Sequence, residues 1–218
     1  RVEMIRSMGA ELAVKGSSQD EAEQHYHTMT KEQQLTQVEP FDDPLIIAGQ
    51  GTIALEILHE LPDTDLLMVQ LSGGGLLGGI AMAAKSINPE IKIVGISIEQ
   101  SPAMLESLKA GKPVLVEEKD TLADSLLGGI GIDNRYTLPL IDKYVDEHIS
   151  VNEEQIKDGM FQIFEQHRLV AEGAAAVASG ALLNGLVDVA GKKVVGILSG
   201  RTVDSAVYLE TLNDRISG

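Results

Sequence analysis

Cysteine and tryptophan are missing from this chain of 218 residues, and only 3% of it is aromatic. Without thiols there can be no disulfide, thiolate zinc site, iron–sulfur cluster or cysteine nucleophile, which suits a reducing compartment and leads us to expect the cytoplasm. So few rings leave little for stacking on nucleobases. Positive charge is scarce as well: 17 Lys and Arg stand against 33 Asp and Glu, a net charge of −16. Nucleic acid needs a basic surface and is excluded as a partner, so any anionic ligand has to be held by local geometry. Long apolar runs are also lacking. Stretches such as 66–71 and 194–198 are too short to cross a bilayer, and no charged-then-apolar leader opens the sequence, so no membrane association is expected. An initiator Met is absent: the chain opens at Arg1, already inside the helical pattern of Val2 to Gly9, and we expect sequence to be missing upstream.

What remains is a 44% hydrophobic chain, enough to bury a sizeable core, in which helix and strand patterns alternate. That alternation predicts an α/β fold with a mostly parallel sheet flanked by helices. A short strand is expected at Glu11–Val14 and a polar helix from Ser18 to Gln33. The turn-rich Pro40-Phe41-Asp42-Asp43-Pro44 marks a boundary between residues 1–39 and 40–218. Beyond it the pattern predicts a helix from Pro44 to Leu61, stopped by Pro62, and a buried strand from Asp65 to Leu71. A helix from Leu76 to Ser86, a strand from Ile91 to Ile98 and a helix from Pro102 to Ala110 follow. Residues 111–140 read as loop and 144–151 as a strand. Asn152 with Gln155 forms a capping box for a helix to His167, then comes a helix from Glu172 to Leu183 and a last buried strand, Lys193–Leu198.

Three segments carry chemistry. The first is Ser72-Gly73-Gly74-Gly75-Leu76 between a strand and a helix. Three glycines let successive N–H groups converge, and the helix N-terminus adds partial positive charge, which makes a phosphate cradle. Neither the Walker nor the dinucleotide pattern is met, and the glycines equally suit a tightly packed turn. The second is Ser199-Gly200-Arg201 at the end of the last strand. Ligands of open α/β sheets sit beyond the carboxyl ends of strands, so Ser72 and Ser199 can face one crevice; alternatively Ser199 caps a helix. The third is Glu172, a lone carboxylate before the small residues Gly173 to Ala176, a run that suits a flat ligand or simply another helix. The five histidines form no joint pattern: His25 and His27 point to different sides of a helix.

Pro40-Phe41-Asp42-Asp43-Pro44, Ala48-Gly49-Gln50-Gly51-Thr52, Ser72 to Leu76, Ser107 to Gly111, Thr121-Leu122-Ala123-Asp124 and Ser199-Gly200 occur in the order and spacing of the threonine dehydratase and serine racemase family, which the chain resembles over nearly its whole length. Leu127 to Tyr136 looks closest to the dehydratases of hydroxyectoine utilisation. The resemblance implies the tryptophan-synthase-β-like architecture of fold type II pyridoxal-phosphate enzymes, truncated at its N-terminus, with a small-domain remnant at 1–39 and most of the large cofactor domain at 40–218. It implies pyridoxal 5'-phosphate as cofactor, its phosphate on the amides of Ser72, Gly73, Gly74, Gly75 and Leu76, its ring nitrogen on Ser199, and Glu172 in support. The implied activity is that of an ammonia-lyase: loss of water and ammonia from a threonine- or serine-like substrate, giving a 2-oxo acid, in a homodimer.

The chain departs from that family in four places. Relatives continue Ser-Gly-Gly-Asn where this chain has Ser199-Gly200-Arg201-Thr202, and Ala-Asp-Gly where it has Ala123-Asp124-Ser125, so Arg201 and Ser125 are expected at the substrate rim. The family's divalent-cation site would draw on Glu99 and the Ala103 carbonyl, but Leu105 stands at its second carboxylate; Glu99 is expected to cap the helix near Pro102 instead, leaving no metal site. None of the eleven lysines stands in the family's Schiff-base motif, nor is the Ser-Ser-Gly-Asn-His substrate loop present, so the catalytic lysine is unknown and the chain alone is expected to be inactive. Two alternatives stay open: an amino-acid racemase of the same family, and a non-catalytic phospholigand-binding or regulatory domain.

Overall fold

The structure is a computed structural model and describes residues 2–217. It divides into two compact units between Val38 and Glu39. The first contains α1 (Val2–Ser7) and α2 (Gln19–Glu32). Ser18 caps α2 by accepting from the Glu21 amide at 3.2 Å. Residues 11–14, expected as a strand, are irregular; no described strand lies alongside to take up their amides and carbonyls, and an unpaired strand has nothing to hold it.

The second unit is a parallel sheet covered on both faces. Its elements are α3 (Pro44–Glu60), β1 (Leu66–Gln70), α4 (Gly75–Ile87), β2 (Lys92–Ile98), α5 (Ala103–Ala110), a 3-10 turn at Asp124–Leu126, α6 (Thr137–Tyr144), β3 (Glu147–Val151), α7 (Glu153–His167), α8 (Gly173–Leu183), β4 (Val194–Gly196) and α9 (Ser205–Ser217). The strand order is β3-β2-β1-β4, every pairing parallel, with Met68 opposite both Val94 and Gly196. Successive side chains of β1 point to opposite faces, so the strand feeds two cores. Leu67 and Val69 pack with Ala54 and Leu58 of α3 and Leu77, Ile80 and Ala84 of α4. Leu66 and Met68 pack with Ile156 and Met160 of α7, the alanines of α8 and Leu212 of α9. With both faces covered, β1 is buried at every residue, which is why it reads as one apolar run.

Local sequence accounts for most element ends. Asp43 accepts from the amides of Leu45 and Ile46 at 2.7 and 3.2 Å, and Pro44, lacking an N–H, occupies the first turn of α3. The capping box of α7 is present, with Asn152 and Gln155 bonded reciprocally at 3.0 Å. Two expectations need correction. The loop expected at 111–140 gives way to α6 from Thr137, for a reason that lies 95 residues away, described below. The last strand is not buried throughout: β4 is three residues long, half-buried, and at the edge of the four-stranded sheet.

Candidate functional site

β1 delivers the chain to Leu71 and Ser72 and then to the glycines. Gly74 is the residue ahead of α4 and takes φ +89°, ψ −6°, a left-handed conformation that suits glycine. A Cβ there would also lie 2.8 Å from Met104 Cε and 2.9 Å from Thr137 Cβ. Gly73 and Gly75 abut Phe41, whose ring stands where a Gly73 side chain would be. The three glycines are buried, with Phe41 packed against Gly73 and Gly75, while Ser72 just ahead of them is half-buried. The first helical bond of α4 runs from Gly78 N–H to Gly74 O at 2.8 Å, and no side chain caps the helix. The amides ahead of Gly78 therefore have no intrahelical acceptor, and the helix dipole adds to their positive end.

Phe41 is held in place by its neighbour. The Asp42 carboxylate accepts from the amides of Arg135, Tyr136 and Thr137 at 2.7, 2.9 and 2.8 Å, capping α6 from a distant part of the sequence. Asn134 completes the cap: its Oδ1 accepts from Leu138 N–H at 3.0 Å, and its Nδ2 donates to Thr137 Oγ1 at 2.7 Å. The Pro40–Pro44 segment is thus a strut joining the glycine turn to residues 134–138.

A second group forms where α8 begins. Glu172, 9% exposed, donates its N–H to Gly200 O at 3.2 Å, and its carboxylate accepts from Thr202 N–H at 3.0 Å. Gly200 lets that carboxylate come close: a Cβ at position 200 would meet it and oblige the Glu172 side chain to shift. Ser199 and Arg201 flank this contact and are exposed. Gly173 lies against Leu122 O. Glu153 fixes that strand of chain from the other side, accepting from Thr121 Oγ1 and from Leu122 N–H, the latter at 3.0 Å. This sets the 3-10 turn carrying exposed Ser125, whose hydroxyl donates to Asp124 Oδ1 at 3.3 Å. The structure therefore gathers Ser125, Glu172, Ser199 and Arg201 around the start of α8. β1 and β4 run side by side, so Ser72 and Ser199 leave the same end of the sheet. Gln70 joins the two groups: Nε2 donates to Ile197 O at 2.5 Å and Ala175 O at 3.3 Å.

Ser199 does not cap a helix. α9 starts only at Ser205, where Asp204 accepts from Ala206 N–H at 2.8 Å. Glu99 does not cap α5 either: no side chain caps that helix, and the Glu99 amide donates to Val151 O at 3.1 Å as the chain leaves β2. Among the described residues Glu99 joins no group of three acidic or histidine side chains close enough to share a cation. Ala103 is buried at the first position of α5, and Leu105 is half-buried. Away from the site, burial lowers the His148 imidazole below its ordinary value, opposed by Asp142.

The sequence pointed to the glycines, Glu172 and Ser199 but missed Asp42, Gln70, Asn134 and Glu153 as residues that shape the site. Each acts on backbone 31 to 127 residues away except Asn134, which acts locally. Asn134 followed by Thr137 was the one local cue, a cap placed just ahead of a helical turn.

Comparison with known proteins follows the same lines. Residues 1–200 match the family model described as pyridoxal-phosphate dependent enzyme. The L-threonine ammonia-lyase of Thermotoga maritima is 43% identical over 204 residues, covering 94% of this chain and 50% of that protein. Among solved structures, the processed form of threonine deaminase isoform 2 from Solanum lycopersicum superposes with a TM-score of 0.85 at 28% identity, covering 98% of this chain and 62% of its own. Maize serine racemase gives 0.84 at 28% identity, covering 99% and 66%. The chain thus spans about half the length of the curated relative and somewhat under two thirds of the tomato enzyme.

Proposed function

Because this chain belongs to the family of pyridoxal-phosphate dependent enzymes, we propose that it forms the cofactor-holding part of an ammonia-lyase that removes water and ammonia from a β-hydroxy amino acid of the threonine or serine kind and leaves a 2-oxo acid. The observation that carries the reading is the uncapped glycine turn of α4 at the same sheet end as Ser199. The residues present fit pyridoxal phosphate. Uncapped amides at a helix N-terminus suit its phosphate, and an exposed hydroxyl beyond the neighbouring strand suits its ring nitrogen.

When bound, the cofactor supplies a conjugated ring that takes up the electron pair left as the substrate's α-proton departs. The chain's own residues set the conditions. Gly73, Gly74 and Gly75 hold the phosphate through N–H groups. Ser199 would face the ring nitrogen with a hydroxyl in place of a carboxylate, a partner that would favour an unprotonated nitrogen and a moderate sink suited to loss of a β-hydroxyl. Glu172 keeps the Ser199 loop in place through Thr202 and Gly200. Ser125 and Arg201 border the substrate, with Arg201 available to a substrate carboxylate.

None of the eleven lysines stands in the family's Schiff-base motif, so on this reading the Schiff-base lysine lies outside these 218 residues. On the same reading residues 1–39 belong to a small domain and 40–218 to the cofactor domain, and the resemblance of Leu127–Tyr136 makes a hydroxyectoine-derived compound the finer substrate. A homodimer is assigned on family resemblance alone, and the cytoplasm on the lack of cysteine. The test is 2-oxo acid release from L-threonine and L-serine by the protein expressed from its complete reading frame, with the 218-residue chain as control. Release by the former and not the latter supports the lyase; inversion of serine without 2-oxo acid favours a racemase, and neither reaction, with no 2-oxo acid from a hydroxyectoine-derived hydroxy amino acid either, leaves a binding domain.

A further inference from the structure

On the face of β1 that packs against α7 and α8, Leu66 and Met68 are apolar and fully buried, yet Gln70 follows them at 4% exposure. Its Nε2 is satisfied twice, by Ile197 O and Ala175 O, while its Oε1 is buried with no hydrogen-bond partner among the described residues. An orphaned buried acceptor keeps its full desolvation penalty, and methionine or leucine would fill the same space without it. Packing therefore does not explain a glutamine here.

The ladder explains it. Pairing of β1 with β4 ends at Met68 and Gly196, and the last rung is Ile197 N–H to Met68 O at 3.1 Å. Paired residues of a parallel ladder advance together by two, so the next pair would be Gln70 with Leu198, and the main-chain amide of Gln70 would take Ile197 O. The side-chain amide of Gln70 takes that carbonyl instead, while β1 stays paired with β2 through Ile96 on its other edge. β4 is held at Ile197 and has no ladder pairing with β1 beyond it among the described residues, so Ser199, two residues later, lies past the end of the paired strand. Gln70 itself lies two residues before Ser72.

We propose that Gln70 is a positioning residue that sets the spacing between the glycine turn and Ser199, so that one molecule of pyridoxal phosphate reaches both. The proposal rests on the cofactor reading above. The test titrates the 218-residue chain and its Gln70→Met and Gln70→Asn variants with inorganic phosphate, which needs the glycine turn alone, and with pyridoxal phosphate, which needs both ends. In the variants phosphate affinity should hold within about twofold, while pyridoxal phosphate binds about tenfold more weakly, the loss of one hydrogen bond. The ring ¹⁵N resonance of labelled cofactor should move toward its value free in water, and hydrogen exchange at Ile197, whose N–H donates to Met68 O, should quicken while melting changes little. Equal weakening of both ligands, or of neither, overturns the role of Gln70. Wild-type chain that binds phosphate but holds pyridoxal phosphate no more tightly overturns the cofactor reading, and the role of Gln70 with it. Either variant that folds decides the matter.

Discussion

Replacing Asp42 by alanine removes a carboxylate that three amides share. Those amides open α6, and after the substitution Arg135 and Tyr136 can turn to water, since their bonds are exposed, while Thr137 N–H lies in a partly buried position with less access to it. Loss of an N-cap costs about 0.5–2 kcal/mol. Because a half-buried donor is orphaned as well, we expect the upper end, about 2 kcal/mol. For a chain of this size that is a fall in Tm of about 4–8 °C. Asp42→Asn keeps one acceptor and should lose about half as much. The damage should also spread along the strut: with Phe41 no longer fixed against Gly73 and Gly75, phosphate affinity should fall together with stability. Thermal melting, with hydrogen exchange at residues 135–137, measures both ends of this chain of cause. An Asp42→Ala variant that melts within about 1 °C of wild type and keeps its protection at 135–137 would refute the reasoning.

Gly74→Ala places a side chain in the left-handed region, about 1–2 kcal/mol of strain, and crowds Thr137 Cβ; phosphate titration should show weaker binding, whereas Gly111→Ala, also at positive φ (+67°) but in open space, should leave it unchanged. His148 supplies a pH dependence. Burial lowers its folded value, so the unfolded chain takes up a proton near its ordinary value of about 6.5 that the folded chain resists. The stabilisation is complete above that pH and is lost as pH falls through it toward the lower folded value; urea midpoints should drop across this window, and His148→Gln should flatten the drop.

The sheet and its helices were legible because their signals are local. β1 is buried on both faces and reads as unbroken apolar sequence, and Asp43, Asn152 and Pro62 announce element ends at the positions where they act. What was illegible depends on distant partners. α6 has Pro139 in its first turns and amides capped by Asp42, so nothing within 111–140 marks a helix strongly. β4 was expected to reach Leu198 because its apolar pattern does; it ends at Gly196, at the sheet edge, where the Gln70 side chain takes the next carbonyl, that of Ile197. Ser199 looked like a helix cap because a helical pattern follows, yet Asp204 is better placed for the first turn that forms. The glycine turn was visible as composition, but the strut that shapes it, Phe41 on one side and Thr137 on the other, joins segments that sequence spacing cannot connect.

On the proposed function, one small molecule spans the glycine turn and the Ser199 loop. Amide-resolved titration of the ¹⁵N-labelled chain with pyridoxal phosphate addresses it directly. The expected result is saturable movement of the Ser72–Leu76 resonances together with those of Ser199, Gly200 and Thr202, with inorganic phosphate moving only the first set. Movement confined to surface lysines, or no movement at Gly73–Gly75 under saturating cofactor, would contradict it.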